Sequence, residues 1–248
     1  SSYGGDSASV ANSLTSGVTQ INSTDRAFAA VKTDGSVVTW GNSSYGGNSS
    51  SVASSLTSGV TKIYSQKAVF AALKSDGSVV TWGSNSTGGD SSSVASSLTS
   101  GVTQIYSNQR AFAALKTDGT VVTWGYRDFG DSSSVASSLT DVISITPAVT
   151  AFAALKSDGT VVTWGKDISE IDYQNYDQSV ALNSGADSSL VASSLTDVIS
   201  ITASFNYQWP QTKSAFAALK TDGSVVTWGN NSFGGDSSSV ASSLTSGV

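Results

Sequence analysis

The chain has 248 residues with 12 Lys and Arg against 18 Asp and Glu, a formal net charge of -6, and only 12% of its residues are charged. That acidic balance opposes binding to nucleic-acid phosphates and anionic headgroups, which draws on clustered Lys and Arg, so no nucleic acid is expected as a partner. With no Cys and no His, disulfides, a thiol nucleophile and an imidazole base or metal ligand are all excluded.

From the N-terminus, the first recognisable unit is a Gly-Gly-Asp opening followed by a Ser-rich run, and the Asp or Asn that opens it recurs along the chain at Asp6, Asn48, Asp90, Asp131, Asp187 and Asp236. An Asp or Asn ahead of such a run reads as a helix N-cap. In the third copy Val94 and Leu98 then present one apolar stripe of a short helix, which Gly101 ends. The following VTQIYS or VISIT run alternates in polarity and is expected to be a strand.

Next comes AFAALKTDGTVVTWG or a near copy, in which Asp-Gly (Asp34-Gly35 in the first repeat) divides two β-prone runs. Asp-Gly suits a two-residue type I′ turn. That turn sets Lys32 opposite Val37, Val31 opposite Val38, Ala30 opposite Thr39 and Ala29 opposite Trp40, so that each large residue meets a small one. Both faces of the hairpin are mainly apolar, which requires a neighbour on each side. The hairpins end at Trp40, Trp82, Trp124, Trp164 and Trp228, at intervals of 42, 42, 40 and 64 residues.

The long last interval contains two insertions, 166–186 and 204–214. In an up-down-up meander both leave the same end of the sheet. They carry Tyr173, Tyr176, Asp172, Asp177, Tyr207 and Trp209, with Phe205, Asn175, Gln208, Asp167 and the one Glu of the chain, Glu170. Aromatic rings beside carboxylates and amides suit sugars, whose C–H faces stack while their hydroxyls are hydrogen-bonded, and the first six are the candidate ligand-binding residues. The same rings also suit a long loop packed on itself. Glu170 with Asp172 or Asp177 could supply a general acid and base, but no spacing enforces the separation that glycoside hydrolysis needs, and no enzyme is expected. The recurrent Gly-Gly-Asp falls short of a calcium-binding nonapeptide, so neither a metal nor a cofactor is expected. The recurring Lys32, Lys74, Lys116, Lys156 and Lys220 are expected to reach solvent past apolar neighbours.

The strings ALKSDGSVVTWG and SSVASSLTSGVTQIYS resemble the repeat of the regulator-of-chromosome-condensation family of β-propellers, whose typical stretch reads sLALtsDGrVyaWG. The resemblance covers the chain outside the two insertions. It departs in the shorter repeat, in the missing His and in the residues that follow the Trp. It implies a β-propeller and, for repeats this degenerate, a place in a very large bacterial surface protein.

The expected fold is therefore all-β, a single domain over 1–248 of five tandem repeats of about 42 residues, each three antiparallel strands and a short helix. A five-bladed β-propeller is the expected architecture, with an open repeat solenoid as the alternative. Residues 2–18 are nearly duplicated by 232–248, giving six helix segments for five hairpins. That surplus, with the absence of Met even at position 1, points to a chain taken from a longer array or precursor, or to a terminal segment that caps the next unit. No apolar run is long enough to cross a bilayer. The expected function is a non-catalytic module of an extracellular or cell-surface adhesin or filament, with other copies of the same protein or surface glycans as partners. A lectin-like propeller and a protein-interaction scaffold are the alternatives.

Overall fold

The computed structural model describes residues 4–165, 186–206 and 213–245. Each repeat forms one three-stranded antiparallel sheet with strands in chain order. The strands are β1 (Val18–Ser23), β2 (Ala27–Lys32) and β3 (Val37–Gly41) in the first repeat, then β4 (Val60–Ser65), β5 (Val69–Lys74) and β6 (Val79–Gly83). They continue as β7 (Val102–Ser107), β8 (Ala111–Lys116) and β9 (Val121–Gly125), β10 (Val142–Pro147), β11 (Ala151–Lys156) and β12 (Val161–Gly165), and β13 (Val198–Asn206), β14 (Lys213–Lys220) and β15 (Val225–Gly229). The fold is all-β with five sheets, the number expected from the five Trp hairpins. Two compact units are distinguished: one holds the sheets of the first three repeats, the other those of the fourth and fifth.

The hairpin register differs by one residue from that expected. Val31 pairs with Val37, Ala30 with Val38, Ala29 with Thr39 and Phe28 with Trp40. The turn is not type I′, because Gly35 alone has positive φ (74°) and Asp34 does not. Gly35 N–H closes the turn on the Lys32 carbonyl at 2.9 Å, the arrangement of a type I turn followed by a left-handed residue that forms a bulge. Asp34 stabilises it from outside, accepting from the Ser36 N–H at 2.9 Å and hydroxyl at 2.7 Å.

The changed register brings two large rings together in place of a large residue and a small one. Phe and Trp stack across the hairpin in every repeat, with centroids 5.3 Å apart for Phe28 and Trp40 and 5.2 Å for Phe70 and Trp82. Size is balanced between sheets instead of within them. Ile63, Phe70, Ala72, Val80 and Trp82 form the front face of the second sheet and pack in one cluster with Ala27, Ala29, Val31 and Val37 from the back of the first. The third repeat repeats this against the second, with Phe112 and Trp124 against Val69, Ala71 and Leu73. The fifth does so against the fourth, with Phe216 and Trp228 against Ala151, Ala153 and Leu155. Alanines on the back face admit the aromatic front face at close range, which satisfies the need of a two-sided apolar hairpin for a neighbour on each side.

The Ser-rich segments are 3₁₀-helices, such as Ser50–Leu56 and Ser92–Leu98, and not α-helices. Short Ser-rich runs have hydroxyls that compete for backbone groups, which disfavours a longer α-helix. The expected stripe survives: Val94 and Leu98 both join the core of the third repeat. The Asp or Asn is not the N-cap itself. It stands one residue earlier and closes an Asx turn by accepting from the N–H two residues on, as in Asp90 with Ser92 and Asn48 with Ser50, each at 2.9 Å. A side-chain oxygen is all this needs, so Asn replaces Asp freely.

The 40-residue interval before Trp164 has a local cause. Gly125 to Asp131 is one residue shorter than Gly83 to Asp90, and Thr-Asp-Val replaces Thr-Ser-Gly-Val. Asp141, and Asp197 in the next repeat, adopt φ of 57° and 59° in place of glycine, a conformation that Asp tolerates better than most residues.

Candidate functional site

The recurrent polar groups serve the scaffold first. Lys32, Lys74 and Lys116 do not simply reach solvent: each ammonium donates to a carbonyl near the end of its own repeat's helix, Ser13, Ser55 and Ser97, at 3.0, 3.1 and 3.2 Å. There a cation meets the negative end of the helix dipole and an unpaired acceptor. Hydrogen bonds from Ser36, Ser78, Thr160 and Ser224 hold the turn carboxyls of Asp34, Asp76, Asp158 and Asp222 below the usual carboxylate range. Thr81 in β6 donates to Gly89 O and Ser91 Oγ, tying the outer strand to the loop that leaves it. Trp82 Nε1 donates to Gly46 O of the preceding repeat at 3.0 Å.

Gly46 explains the Gly-Gly motif. Its φ is 91°, and a Cβ there would lie 2.7 Å from the Phe70 ring. Only glycine allows the loop after β3 to seat on the next repeat's Phe–Trp stack.

What distinguishes one repeat from another is the pair of insertions. The candidate ligand residues Tyr173, Tyr176, Asp172, Asp177, Tyr207 and Trp209 lie outside the described residues, as do Asp167, Glu170, Asn175 and Gln208. Their anchor points are described. The first insertion leaves at the end of β12 and rejoins at Ala186; the second extends the hairpin of β13 and β14, whose register continues through Phe205 opposite Ser214 to Asn206 opposite Lys213. In the fifth sheet Ala215 pairs with Ser204 on one side and Gly229 on the other. Gly229 is the counterpart of Gly165, so both insertions depart from the same end of their sheets, as expected from a meander.

At the root of the first insertion lies an open cleft of about 530 Å³. It is lined by Ser134, Ser138, Thr163, Trp164, Asp187 and Ser188. Thr163 Oγ1 donates to Ala186 O at 2.8 Å and lies 3.0 Å from Ser188 Oγ. Asp187 is held below the usual carboxylate range by hydrogen bonds from Ser189. This is a hydroxyl-rich wall beside an indole. The surrounding serines and threonines have no imidazole or thiol partner to activate them, and among the described residues no group of three acidic, His or Cys side chains could hold a metal. The arrangement can offer hydroxyl hydrogen bonds to a polar ligand, while the Trp164 indole itself is buried against Phe152. The sequence could not single out these residues, because every repeat carries the same ones and only the position of the insertion marks this copy.

These features define a class: an all-β tandem-repeat protein of three-stranded antiparallel sheets, each carrying a Phe–Trp stack that, within each of the two units, packs against the small-residue face of the preceding sheet. No family profile matches the chain, and no curated protein is similar to it in sequence. Among solved structures it is similar to Prp20p of Saccharomyces cerevisiae, also described as yeast RCC1, at 15% identity and a TM-score of 0.45, over 86% of this chain and 58% of that one. Human WBSCR16 is similar at 19% identity and a TM-score of 0.45, over 86% and 61%, and the CRINKLY WD40 ectodomain of the Arabidopsis thaliana receptor kinase ACR4 at 13% and 0.43, over 86% and 65%. The chain spans less than two thirds of each of these structures. No residue role is carried across at such identities.

Proposed function

We propose that the chain is a non-catalytic structural module of a larger extracellular or cell-surface protein, an adhesin or filament component that spaces or displays its neighbours. The observation that carries this reading is that the recurrent chemistry is scaffold chemistry. The Phe–Trp stack, the Asx turn and the Asp-Gly turn recur from repeat to repeat, and none of them leaves a reactive group. A protein selected for one active centre has no need of five equivalent sheets.

A lectin-like reading is second, supported by the aromatic and acidic composition of the insertions and by the hydroxyl-lined cleft where the first one begins. A scaffold for another protein is the third. A glycan array separates the first two. The structural module gives no saturable signal; a signal lost in both Trp209→Ala and Tyr176→Ala would replace it with the lectin. Antibody labelling of intact source cells checks the location, and labelling that appears only after permeabilisation would rule out a surface role.

A further inference from the structure

The fourth and fifth repeats share a departure from the first three where the first strand of each sheet begins. There Asp141 and Asp197 stand in place of Gly17, Gly59 and Gly101, and Ile143 and Ile199 in place of Thr19, Thr61 and Thr103. The backbone is the same in both versions. The strand bulges after its first residue, with Val60 opposite Lys74 and Lys62 opposite Leu73, as Val142 is opposite Lys156 and Ser144 opposite Leu155. The threonines serve that bulge: each hydroxyl donates to a carbonyl of the neighbouring strand, Val31, Leu73 or Leu115, at 3.1 Å. An isoleucine keeps the β-branched shape but can make no such bond, and Ile143 and Ile199 are 57% and 54% exposed. Thr61, with a repeat on either side of it, is exposed at the same point, so the opening belongs to the repeat itself. One exposed apolar side chain needs no explanation, but two at the same place in adjacent repeats, each with a new carboxylate beside it, do.

The two isoleucines border one place. In the first two repeats Thr19 and Thr61 line an open cleft of about 350 Å³ with Asp34, Gly35 and Ser75, where the Val60 N–H meets the Gly35 carbonyl at 3.0 Å. The Val198 N–H and the Gly159 carbonyl make the same contact at 3.0 Å, which places Ile143 and Ile199 around the Asp158–Gly159 turn as Thr19 and Thr61 stand around Asp34–Gly35. Ser157 and Thr221 donate their N–H groups to the carbonyls of Asp141 and Asp197, each at 2.9 Å. Asp141, Asp158, Asp197 and Asp222, all exposed, therefore follow one another along this end of the two sheets. The first two repeats have only Asp34 and Asp76 there, beside Lys32 and Lys74; in the fourth and fifth, Lys156 and Lys220 stand among twice as many carboxylates.

We propose that this end of the fourth and fifth sheets is a docking surface for a cationic, apolar segment of another protein, whose aliphatic side chains cover Ile143 and Ile199 and whose Lys or Arg groups pair with the surrounding carboxylates. Charge selects the occupant. A second copy of the chain meeting it through the same surface would set carboxylate against carboxylate, and an anionic bilayer is repelled. The surface lies at the opposite end of the sheets from the two insertions, and it goes beyond the reading as a structural module.

The test is fluorescence anisotropy of a labelled short peptide alternating Lys and Leu, titrated with the full chain. Two paired variants carry the residues of the first three repeats: Ile143→Thr with Ile199→Thr, and Asp141→Gly with Asp197→Gly. Thr suits the strand, and Gly suits the positive φ of 57° and 59° at the two Asp positions, so both variants should fold, which near-ultraviolet circular dichroism of the Trp residues verifies. Wild type is expected to bind the peptide saturably. The Ile pair should weaken binding about tenfold or more with its salt dependence unchanged, and the Asp pair should weaken it several-fold and flatten the salt dependence. No saturable binding by wild type, undiminished affinity in either variant, or equal affinity for a peptide alternating Glu and Leu would each overturn the docking surface. So would a wild-type dimer, seen by light scattering, that the Ile pair abolishes. None of these results touches the reading as a structural module, which the glycan array tests independently.

Discussion

The first and second repeats share almost the same hairpin, AFAAVKTDGSVVTWG against VFAALKSDGSVVTWG, and the same Phe–Trp stacking distance to within 0.1 Å. They differ in what covers the stack. Phe70 and Trp82 are buried by the back of the first sheet and by the Gly46 loop, whereas Phe28 and Trp40 are half-buried. The stack is thus a property of the hairpin, and its burial a property of the neighbour. In a tandem-repeat protein stability divides into what each repeat contributes alone and what each interface adds, and these two repeats separate the contributions.

The largest expected effect uses that difference directly. Phe70→Ala should lower unfolding stability by about 3–5 kcal/mol and Phe28→Ala by roughly half as much, because a half-exposed ring loses less transfer free energy and leaves a cavity open to water. Urea denaturation of both variants measures this, and equal losses would show that the front face of the first repeat is covered after all.

A smaller effect is expected at the loop glycines. Gly46→Ala adds backbone strain of about 1–2 kcal/mol and overpacking of about 1–3 kcal/mol against a ring pinned by its stack on Trp82. Gly234→Ala, with the same left-handed backbone (φ 96°) and open space around it, should cost only the strain. Thermal unfolding of the pair distinguishes them; equal shifts would mean that the Phe70 contact adds nothing.

The smallest effect concerns the Asx turns. Asp90 and Asn48 accept the same backbone N–H, but only Asp90 titrates, and its carboxyl is held below the usual range by hydrogen bonds from Ser92, first its backbone N–H and then its hydroxyl. A depressed folded pKa stabilises the folded chain above the unfolded carboxylate pKa, and that contribution is lost as pH falls through the folded value. Asp90→Asn should therefore leave stability near pH 7 almost unchanged and make the acid side of a stability-versus-pH curve slightly shallower. A steeper acid limb would contradict this account of the turn.

Much of the fold is legible in the residues themselves. The five Trp hairpins, the strand ahead of each and the helical segment with its Val and Leu four apart all follow from periodicity and from Asp-Gly and Gly-Gly punctuation. The candidate ligand residues are a different matter: Tyr173, Tyr176, Asp172, Asp177, Tyr207 and Trp209 stand out by composition alone, and the described residues supply only the roots of their insertions and the hydroxyl-lined cleft beside one of them. Spacing could not reveal that cleft, because Thr163 and Trp164 have counterparts in every repeat.

The turn shows where local reading ends. Asp-Gly is compatible both with a two-residue type I′ turn and with a type I turn followed by a left-handed glycine, and the two differ by one residue of register. In the observed register Phe70 lies opposite Trp82, and the sheet gains a flat aromatic face that fits the alanines of its neighbour. Sequence by itself determined the repeat, its strands and the residues able to cap, turn and stack, because those depend on contacts a few residues apart. Tertiary structure decided the register, the pairing of large faces with small ones, and which copies of the same Phe and Trp are buried, because each of these depends on a second sheet some 40 residues away in the chain.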